Sequence, residues 1–403
     1  MRKGMDHPPT SPGKQINLQS YMIRQTARTL SNKMLILSEA DVRRCFPVSA
    51  AIAANRKALG SLRNNGDGGA MVPTRIGLPY YASSNRDGDS GGAADWSLFK
   101  PAAYYPPKQS NDDEILMGMK LVSVRANNPA INKPTVPATI MLVNAETGEV
   151  SAIVAATYLT AARTSAGSAL ATEMALVNND KRIDGLTLVV FGAGLQSELH
   201  IKCIMHVVNI TKLVIVNRSH ERAEKLKEIL LGEQPEPGSK TQTPINDISI
   251  RLLSDKDGLR EAVANADVIA TTTNTCTPLF DGEWLKPGCH INGVGSYTPL
   301  MQEVDEALVK RCEVLIDTKE SLDVGDLSCL TVKGDAMPSN YVGLIGDALS
   351  GNITLGTQRD DKSNNKIDCT FFKSTGTAIQ DVVSAHMVVE AAKREHIGTQ
   401  VAM

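Results

Sequence analysis

A glycine turn between an apolar strand and a helix carries the clearest chemical pattern in this sequence. The strand 186–191 is followed by Gly192-Ala193-Gly194-Leu195-Gln196-Ser197. Such a turn lets backbone N–H groups and the helix dipole face a pyrophosphate. The third fingerprint position is Ser197 instead of Gly or Ala, so the strand–turn–helix–strand context carries the prediction. The alternative is an ordinary glycine turn without a ligand. The predicted pyrophosphate contacts are Gly192, Gly194, Leu195 and Gln196.

The end of the next strand indicates which dinucleotide binds. The strand 213–216 runs into Asn217-Arg218-Ser219. An acidic residue here would accept the 2′-hydroxyl of NAD and repel a 2′-phosphate, whereas a cation beside a hydroxyl suits the phosphate of NADP. We therefore expect Asn217, Arg218 and Ser219 to bind NADPH in preference to NAD. A solvated cation at a strand end is the alternative interpretation of Arg218.

Two cations stand inside otherwise apolar strand patterns. Arg75 lies in Met71–Leu78 and Lys120 in Ile115–Val124. A cation at an apolar strand position is costly unless it meets an anion. Both residues are therefore candidates for binding an anionic substrate, and the alternative is a solvent-facing position at the rim of the sheet.

The order of predicted elements suggests how these groups are positioned. From residue 186 to residue 317, strands alternate with helices, which predicts a doubly wound parallel sheet of the Rossmann type. Short strands and a hairpin precede it, after a helix that begins at Ser38 with Asp41 three residues on. The helix Leu159–Thr172 has mostly small side chains, so it can approach another backbone closely. A last helix extends to Lys393 and is expected to return to the first part of the chain.

Composition excludes several classes of function. The 403 residues carry a net charge of −2, which favours neither nucleic acid nor membrane as a partner. Aromatic residues are only 4% of the chain, which argues against a base-stacking platform. The seven cysteines form no CxxC motif, which indicates buried thiols in a reducing compartment. The sequence also lacks an HExxH motif, so it gives no indication of a zinc site. No apolar run is long enough to span a membrane.

An ordered set of segments resembles the ornithine cyclodeaminase/mu-crystallin family. The set consists of Lys120-Leu121-Val122, the helix Leu159–Thr172, the turn Gly192–Ser197, Asn217-Arg218, the segment Gly282–Asn292 and Lys373-Ser374-Thr375-Gly376. The resemblance covers roughly residues 37–393. It implies a cytoplasmic homodimer with an α/β fold, in which a Rossmann domain is joined to an α+β substrate and dimerisation domain formed by both chain ends. The expected boundaries are a disordered tail (1–33), the substrate domain (34–178 plus 351–403) and the Rossmann domain (179–350).

The resemblance also implies roles for single residues. Arg75, Lys120 and Arg163 would clamp the carboxylate of an imino or amino acid, although Arg163 and Thr164 are alternatively expected at the cofactor phosphates. Thr273 is expected near a ribose, Val294 and Gly295 face the nicotinamide, and Lys373 is counted with the cofactor contacts. We interpret His200 as structural. The loop Ser83–Ala94 is expected to act as a lid.

Two departures from the family pattern bear on the reaction. Bacterial cyclodeaminases carry an Asp where this chain has Tyr297, so the obvious proton shuttle for ornithine is missing. Thr135-Val136-Pro137 replaces the Ser-His-Gln of mu-crystallin-like members. The sequence therefore favours an NADPH-dependent reductase of a 2-imino acid, such as pyrroline- or piperideine-2-carboxylate. The alternatives are an ornithine cyclodeaminase that uses NAD, an NAD(P)-dependent amino-acid dehydrogenase, and a non-catalytic protein that binds NADPH and a ligand.

Overall fold

The computed structural model describes residues 33–62, 69–80, 95–107, 114–176, 185–242, 245, 247–330, 339–356, 359–360 and 366–402. The predicted tail, residues 1–33, lies outside this part of the chain except for Lys33. The predicted lid, Ser83–Ala94, lies outside it as well.

The first sheet combines strands from both ends of the chain. In spatial order they are Thr399–Ala402 (β18), Lys33–Leu37 (β1), Val150–Ala155 (β7), Ala138–Val143 (β6), Leu116–Val124 (β5), Asp95–Tyr104 (β4) and Ala70–Met71 (β2), while Ile76–Tyr80 (β3) also pairs with β4. Neighbouring strands are antiparallel except β1 and β7. Buried and more exposed residues alternate along β5, which places Lys120 on the inward face.

The second sheet is parallel throughout, which confirms the predicted doubly wound fold. Its order is Asp247–Leu252 (β10), Ile210–Asn217 (β9), Leu186–Phe191 (β8), Val268–Thr271 (β11), His290–Gly293 (β12), Cys369–Lys373 (β17), Cys312–Ile316 (β13) and Tyr341–Leu344 (β14). Both faces are covered, because Leu188 and Val190 pack in one apolar cluster and Val189 and Phe191 in the other. A separate short pair joins Arg359–Asp360 (β15) to Lys366–Ile367 (β16).

Helices connect and cover the two sheets. They are Glu39–Cys45 (α1), Val48–Gly60 (α2), Thr157–Leu176 (α3), Leu195–Val207 (α4), His220–Leu231 (α5), Lys256–Asn265 (α6), Glu306–Arg311 (α7), Ile345–Leu349 (α8) and Ala378–Glu395 (α9). Short 3-10 helices span Asn128–Ile131, Gly282–Trp284, Lys319–Asp323 and Gly325–Leu330. The predicted start of α1 is confirmed, because Ser38 and Asp41 form a reciprocal capping box.

Helix α3 joins the two halves into one core. It is buried along most of its length and packs against α2 on one side and α4 on the other. The fully buried ring of His200 on α4 lies against it. The ring Nδ1 contacts the Gln196 carbonyl at 2.7 Å, and Nε2 contacts the Ser168 hydroxyl at 3.0 Å. Burial lowers the pKa of His200 to about 4, and the neutral ring fits the structural role expected for it.

One strand departs from the expected domain boundaries. Strand β17 follows residue 351, so the expected boundaries place it in the substrate domain with the rest of 351–403. In the structure it is inserted in the second sheet between β12 and β13. The last part of the chain therefore completes the dinucleotide-type sheet first, and then returns as α9 to pack against β4 and β5 of the first sheet.

Candidate active site

Three charged side chains from three different elements meet in the interior beneath the first sheet. The Lys120 ammonium on β5 lies 2.7 Å from Asp381 Oδ1 on α9, and Arg163 Nε on α3 lies 2.9 Å from the same oxygen. All three are buried, with relative exposures of 1% for Lys120, 3% for Arg163 and 0% for Asp381. Two cations share one carboxylate, so the group retains an excess positive charge that suits an anionic ligand.

A fourth charged residue, Lys100, completes this cluster, and the sequence reasoning missed it. Lys100 lies directly opposite Lys120 in the β4–β5 register. Its ammonium donates to the Gly376 carbonyl oxygen at 2.9 Å. The signal that singled out Lys120, a lysine inside an otherwise apolar strand pattern, is equally present at Lys100.

Burial and neighbouring charge shift the pKa values of these groups. Burial lowers the pKa of Lys100 to about 8, and the charges of Arg163 and Arg75 act in the same direction. Burial and Arg163 also lower the pKa of Lys120. Burial alone would raise the pKa of Asp381, but the nearby charges of Arg163 and Lys120 outweigh it and lower the pKa. Asp381 therefore stays ionised as the counter-ion of the cluster.

Arg75 lies outside the strand in which the sequence placed it. It precedes β3 and is half-buried. Its charge is close enough to lower the pKa of Lys100, so it belongs to the same electrostatic site as the buried cluster. The expected strand breaks between β2 and β3, since both are short and pair separately with β4.

A rigid loop after β17 closes one side of the cluster. Asp317 Oδ2 accepts from the Ser374 hydroxyl at 2.8 Å and from the Gly376 amide at 2.6 Å. Gly376 has a φ of +76°, and a Cβ there would lie 2.2 Å from Arg163 Nη1. Glycine lets the backbone approach the guanidinium this closely, so Gly376 packs against Arg163 while its carbonyl oxygen accepts from Lys100.

The predicted dinucleotide turn has the geometry its glycines require. Gly192 has a φ of +115°, and a Cβ there would lie 2.8 Å from Thr272 Oγ1. Gly194 is exposed, and a Cβ there would meet nothing within 4 Å. Ser197, the unusual third position, is buried and contacts the Thr272 hydroxyl at 2.8 Å. Its side chain therefore ties the turn to the end of β11.

The other residues predicted to bind the cofactor differ in the burial and the hydrogen bonding of their side chains. Leu195 and Gln196 are half-buried in the first turn of α4, and the buried Gln196 Oε1 has no hydrogen-bond partner among the described residues. The Arg218 side chain is exposed at the end of β9. The Ser219 hydroxyl caps α5 by accepting from the Arg222 amide at 3.3 Å, and Asn217 donates to the Ser219 carbonyl oxygen at 2.9 Å.

A buried carboxylate, Glu303, fixes the strand ends predicted to face the cofactor. Glu303 Oε1 accepts from the Thr273 amide and hydroxyl at 2.6 and 2.7 Å. Glu303 Oε2 accepts from the Gly295 amide at 2.6 Å. Val294 is nearly buried beside Gly295, and its amide donates to the Thr271 carbonyl oxygen at 3.0 Å. Thr273, Val294 and Gly295 therefore form one rigid surface at the ends of β11 and β12.

Two predicted cofactor contacts lie in internal positions instead. Lys373 is fully buried, and its ammonium lies 2.8 Å from Asp326 Oδ2. This pair supports Glu303, since Asp326 Oδ1 accepts from the Glu303 amide at 2.6 Å. The Thr164 hydroxyl is buried and donates to the Thr160 carbonyl oxygen at 2.7 Å. Lys373 and Thr164 therefore stabilise the walls of the site in this structure. Arg163 contacts Asp381, and its Nη1 donates to Gln380 Oε1 at 3.1 Å.

Tyr297, which stands where cyclodeaminases carry an Asp, bridges the two halves of the site. Its ring centroid lies 5.9 Å from that of Trp96 on β4. Burial raises the pKa of the phenol. The side chain therefore offers an apolar contact between the two sheets at this position and no carboxylate.

The described residues hold neither a membrane span nor a metal cluster. None of their helices is both long enough and apolar enough to cross a bilayer. No group of three or more histidine, cysteine or acidic side chains in this part of the chain is arranged to hold a metal ion.

Comparisons with known proteins identify relatives along most of the chain. The sequence model of the ornithine cyclodeaminase/mu-crystallin family matches residues 105–396. An uncharacterized cyclodeaminase of Dictyostelium discoideum is 30% identical over 91% of this chain and 98% of its own length. A Δ1-pyrroline-2-carboxylate reductase of Bacillus cereus is 31% identical over 71% of this chain and 80% of its own length.

A solved structure with the same architecture comes from Thermococcus litoralis. It is a Δ1-pyrroline-2-carboxylate reductase in complex with NADH and L-proline. It superposes with a TM-score of 0.73 at 25% identity, over 91% of this chain and 100% of its own. The fold observed here therefore extends over the whole length of that enzyme.

Proposed function

The chain belongs to the ornithine cyclodeaminase/mu-crystallin family, and we propose that it reduces 2-imino acids to amino acids with NADPH. The observation that carries the proposal is the buried cluster of Lys120, Arg163 and Asp381 beside the strand ends of a dinucleotide-type sheet. Relatives that reduce pyrroline-2-carboxylate support this reaction class.

The residues of the cluster account for substrate binding. A 2-imino acid presents a carboxylate next to its C=N carbon, and Lys120 and Arg163 supply fixed positive charge to bind that carboxylate. Asp381 keeps both cations in place, since it forms an ion pair with each. Its second oxygen, Oδ2, is buried without a hydrogen-bond partner among the described residues and can accept from a protonated imine nitrogen.

The dinucleotide turn fits the proposed cofactor. Gly194 leaves open space at the start of α4, where backbone N–H groups can face a pyrophosphate. The unpartnered Gln196 Oε1 can accept from a hydroxyl of the dinucleotide. Bound NADPH would supply the hydride. The exposed Arg218, with no acid in Asn217-Arg218-Ser219, supports NADPH over NADH.

Ornithine cyclodeamination is the competing function, because the Dictyostelium relative is named as a cyclodeaminase. Tyr297 argues against it. A phenol whose pKa is raised by burial and whose ring packs on Trp96 is a poor substitute for a carboxylate base.

The face of the first sheet that is opposite to Lys120 supports a homodimer. Ile36, Ile153, Met141, Met119 and Pro101 stand side by side in register across five strands. They lie on the face opposite to Lys120, and none of them is fully buried. An apolar row this wide is typical of a surface covered by a partner.

Free cysteines at all seven positions support a reducing, cytoplasmic location.

The test measures NADPH oxidation by the purified protein with pyrroline-2-carboxylate and piperideine-2-carboxylate, and proline and ammonia release from ornithine with NAD. We expect reduction of at least one cyclic imine and no proline from ornithine. Proline release without net cofactor turnover would instead establish the competing function.

Lys120→Met provides the first variant. Loss of the buried ammonium removes a carboxylate-binding charge, so we expect kcat/KM for the imine to fall by about 100-fold or more. NADPH binding, followed by fluorescence titration, should be nearly unchanged. Lys212→Met, at an exposed position of β9, is the matched control and should keep full activity. Equal activity of the two variants would contradict the assigned role of Lys120.

A further inference from the structure

A cavity of about 290 Å³ lies between the two halves of the molecule. Arg43 on α1, Val48 on α2 and Tyr158 on α3 line it from the first half, and α4, α5, β9 and β10 line it from the second. The loop 233–239 after α5 covers it. None of the residues assigned above to the substrate or to the dinucleotide is among those that line this cavity. It is therefore separate from the candidate active site.

Aliphatic side chains form the inner wall of the cavity. Val48, Ile201, Leu213, Ile245 and Ile248 contribute to it, and each is at most 7% exposed. An apolar cavity of about 150 Å³ holds one benzene ring, and typical small-molecule sites begin at about 300 Å³. The volume here therefore suits an apolar group of one or two rings, or a chain of similar size.

An incomplete charge group stands at the edge of this wall. The Lys202 ammonium lies 2.6 Å from Glu198 Oε1 and 2.6 Å from Glu233 Oε2. The second oxygens, Glu198 Oε2 and Glu233 Oε1, have no hydrogen bond or ion pair with any residue that the structure describes. Burial alone would lower the pKa of Lys202, but hydrogen bonds to Glu198 and Glu233 outweigh it and raise the pKa. Two carboxylates therefore share one ammonium, and one negative charge is left without compensation.

The other charged residues of the cavity do not supply that compensation. The Glu236 carboxylate accepts from the Val48 and Ser49 amides at 3.0 and 3.4 Å, at the start of α2. Arg43 is exposed, and its guanidinium carbon lies 4.4 Å from the centroid of the Tyr158 ring. The cavity wall thus carries three carboxylates against two cations. This balance favours a bound cation and disfavours a bound anion.

We propose that this cavity binds a primary amine with an apolar body and no carboxylate, such as an alkylamine or arylalkylamine. The ligand ammonium would donate to the second oxygens of Glu198 and Glu233 and complete an alternating group of two carboxylates and two ammonium groups. The apolar body would cover the aliphatic wall. A ligand without a carboxylate lacks the group that Lys120 and Arg163 are proposed to bind, so the site is distinct from the site of imine reduction and independent of it.

The experiment compares three compounds with the same apolar body and different head groups. 4-Phenylbutylamine, 4-phenylbutanol and 4-phenylbutyrate are cationic, neutral and anionic at neutral pH, and calorimetric titration measures the binding of each. Wild-type protein is compared with Glu233→Gln and Met205→Trp. Glu228→Gln, at an exposed position of α5 outside the cavity, and Met205→Leu, which conserves volume, are the matched controls. The titrations are repeated with saturating NADPH.

We expect one site that binds the amine at least about fivefold more tightly than the alcohol, and the anion least tightly. Glu233→Gln should remove the preference for the amine and leave the affinity for the alcohol unchanged. Met205→Trp should abolish binding of both, because the indole fills the cavity. The two control variants should bind like the wild type, and NADPH should change the affinity for the amine by less than about threefold. The amine should also raise the melting temperature, since it binds the folded protein.

Several results would overturn the proposal. They are no binding of the amine, equal binding of the three compounds, and an equal loss for amine and alcohol in Glu233→Gln. Displacement of the amine by NADPH would assign it to the dinucleotide site instead. Binding that persists in Met205→Trp with a native far-UV circular dichroism spectrum would place the ligand elsewhere. Glu233→Gln changes only a loop residue, so it decides the question even if Met205→Trp does not fold.

Discussion

A single carboxylate, Asp381, organises the candidate active site. Its Oδ1 atom contacts Lys120 and Arg163, which come from a strand and a helix far apart in sequence. Removing one partner of a buried ion pair costs about 3–5 kcal/mol, because the remaining charge is left without compensation. The cluster can therefore hold cations in a fixed geometry without help from solvent, and that rigidity is what carboxylate recognition next to a reactive carbon needs.

A single residue, Arg218, is predicted to decide the preference for NADPH over NADH. In Arg218→Asp a carboxylate replaces the exposed guanidinium at the end of β9, so it would repel a 2′-phosphate and accept a 2′-hydroxyl. We expect the ratio of kcat/KM for NADPH over NADH to fall by about 100-fold or more. Steady-state kinetics with both cofactors measures it. Lys225→Asp, an equal charge change at an exposed position of α5, is the control. An unchanged ratio in Arg218→Asp would remove this residue from the phosphate site.

In the turn between β8 and α4, the two glycines are needed for different reasons. One is needed for its backbone conformation, and the other for the space it leaves beside the backbone. Gly192 adopts a positive φ, whereas Gly194 has a φ of −107° and a ψ of −173°, which any residue tolerates. The first glycine is therefore required by the fold. The second is required only if a ligand approaches the backbone, and this difference can be measured.

Gly194→Ala and Gly192→Ala form a matched pair for that measurement. Gly194→Ala should change the free energy of unfolding of the cofactor-free protein by less than about 1 kcal/mol, since its Cβ meets no protein atom. It should weaken NADPH binding about tenfold or more, because the methyl group occupies the approach of the pyrophosphate. Gly192→Ala should lower the stability itself by about 1–3 kcal/mol. Denaturant unfolding and NADPH titration distinguish the two, and full affinity in Gly194→Ala would speak against a pyrophosphate at this turn.

Across the whole molecule, the site lies where two differently built sheets meet. The first sheet contributes Lys100 and Lys120, the parallel sheet contributes the fixed ends of β11 and β12, and α3 with α9 joins them. The opposite face of the first sheet carries the registered apolar row. The same sheet therefore faces the substrate on one side and the proposed partner protomer on the other.

Met141→Lys tests the proposed dimer. Met141 stands in the middle of the apolar row on β6, so a lysine there would be buried without a partner in a dimer and solvated in a monomer. We expect the wild-type protein to sediment as a dimer and the variant to dissociate at micromolar concentration, with its far-UV circular dichroism retained. Leu231→Lys, which replaces an apolar residue that is 46% exposed on α5, should remain dimeric. Dimerisation of both variants would assign the interface to another surface.

The sequence by itself determined what depends on local patterns. Period-two alternation, buried apolar runs and the glycine turn fix backbone conformation over a few residues, so the doubly wound sheet, the capping box at Ser38 and the exposed Arg218 strand end could be read directly. Tertiary structure decided what depends on distant packing. Lys120 and Asp381 are 261 residues apart, and no local signal pairs them. For the same reason the insertion of β17 into the second sheet, the internal role of Lys373 and the place of Lys100 in the charged cluster emerged only when the elements were packed together, because burial and charge compensation are properties of the assembled interior.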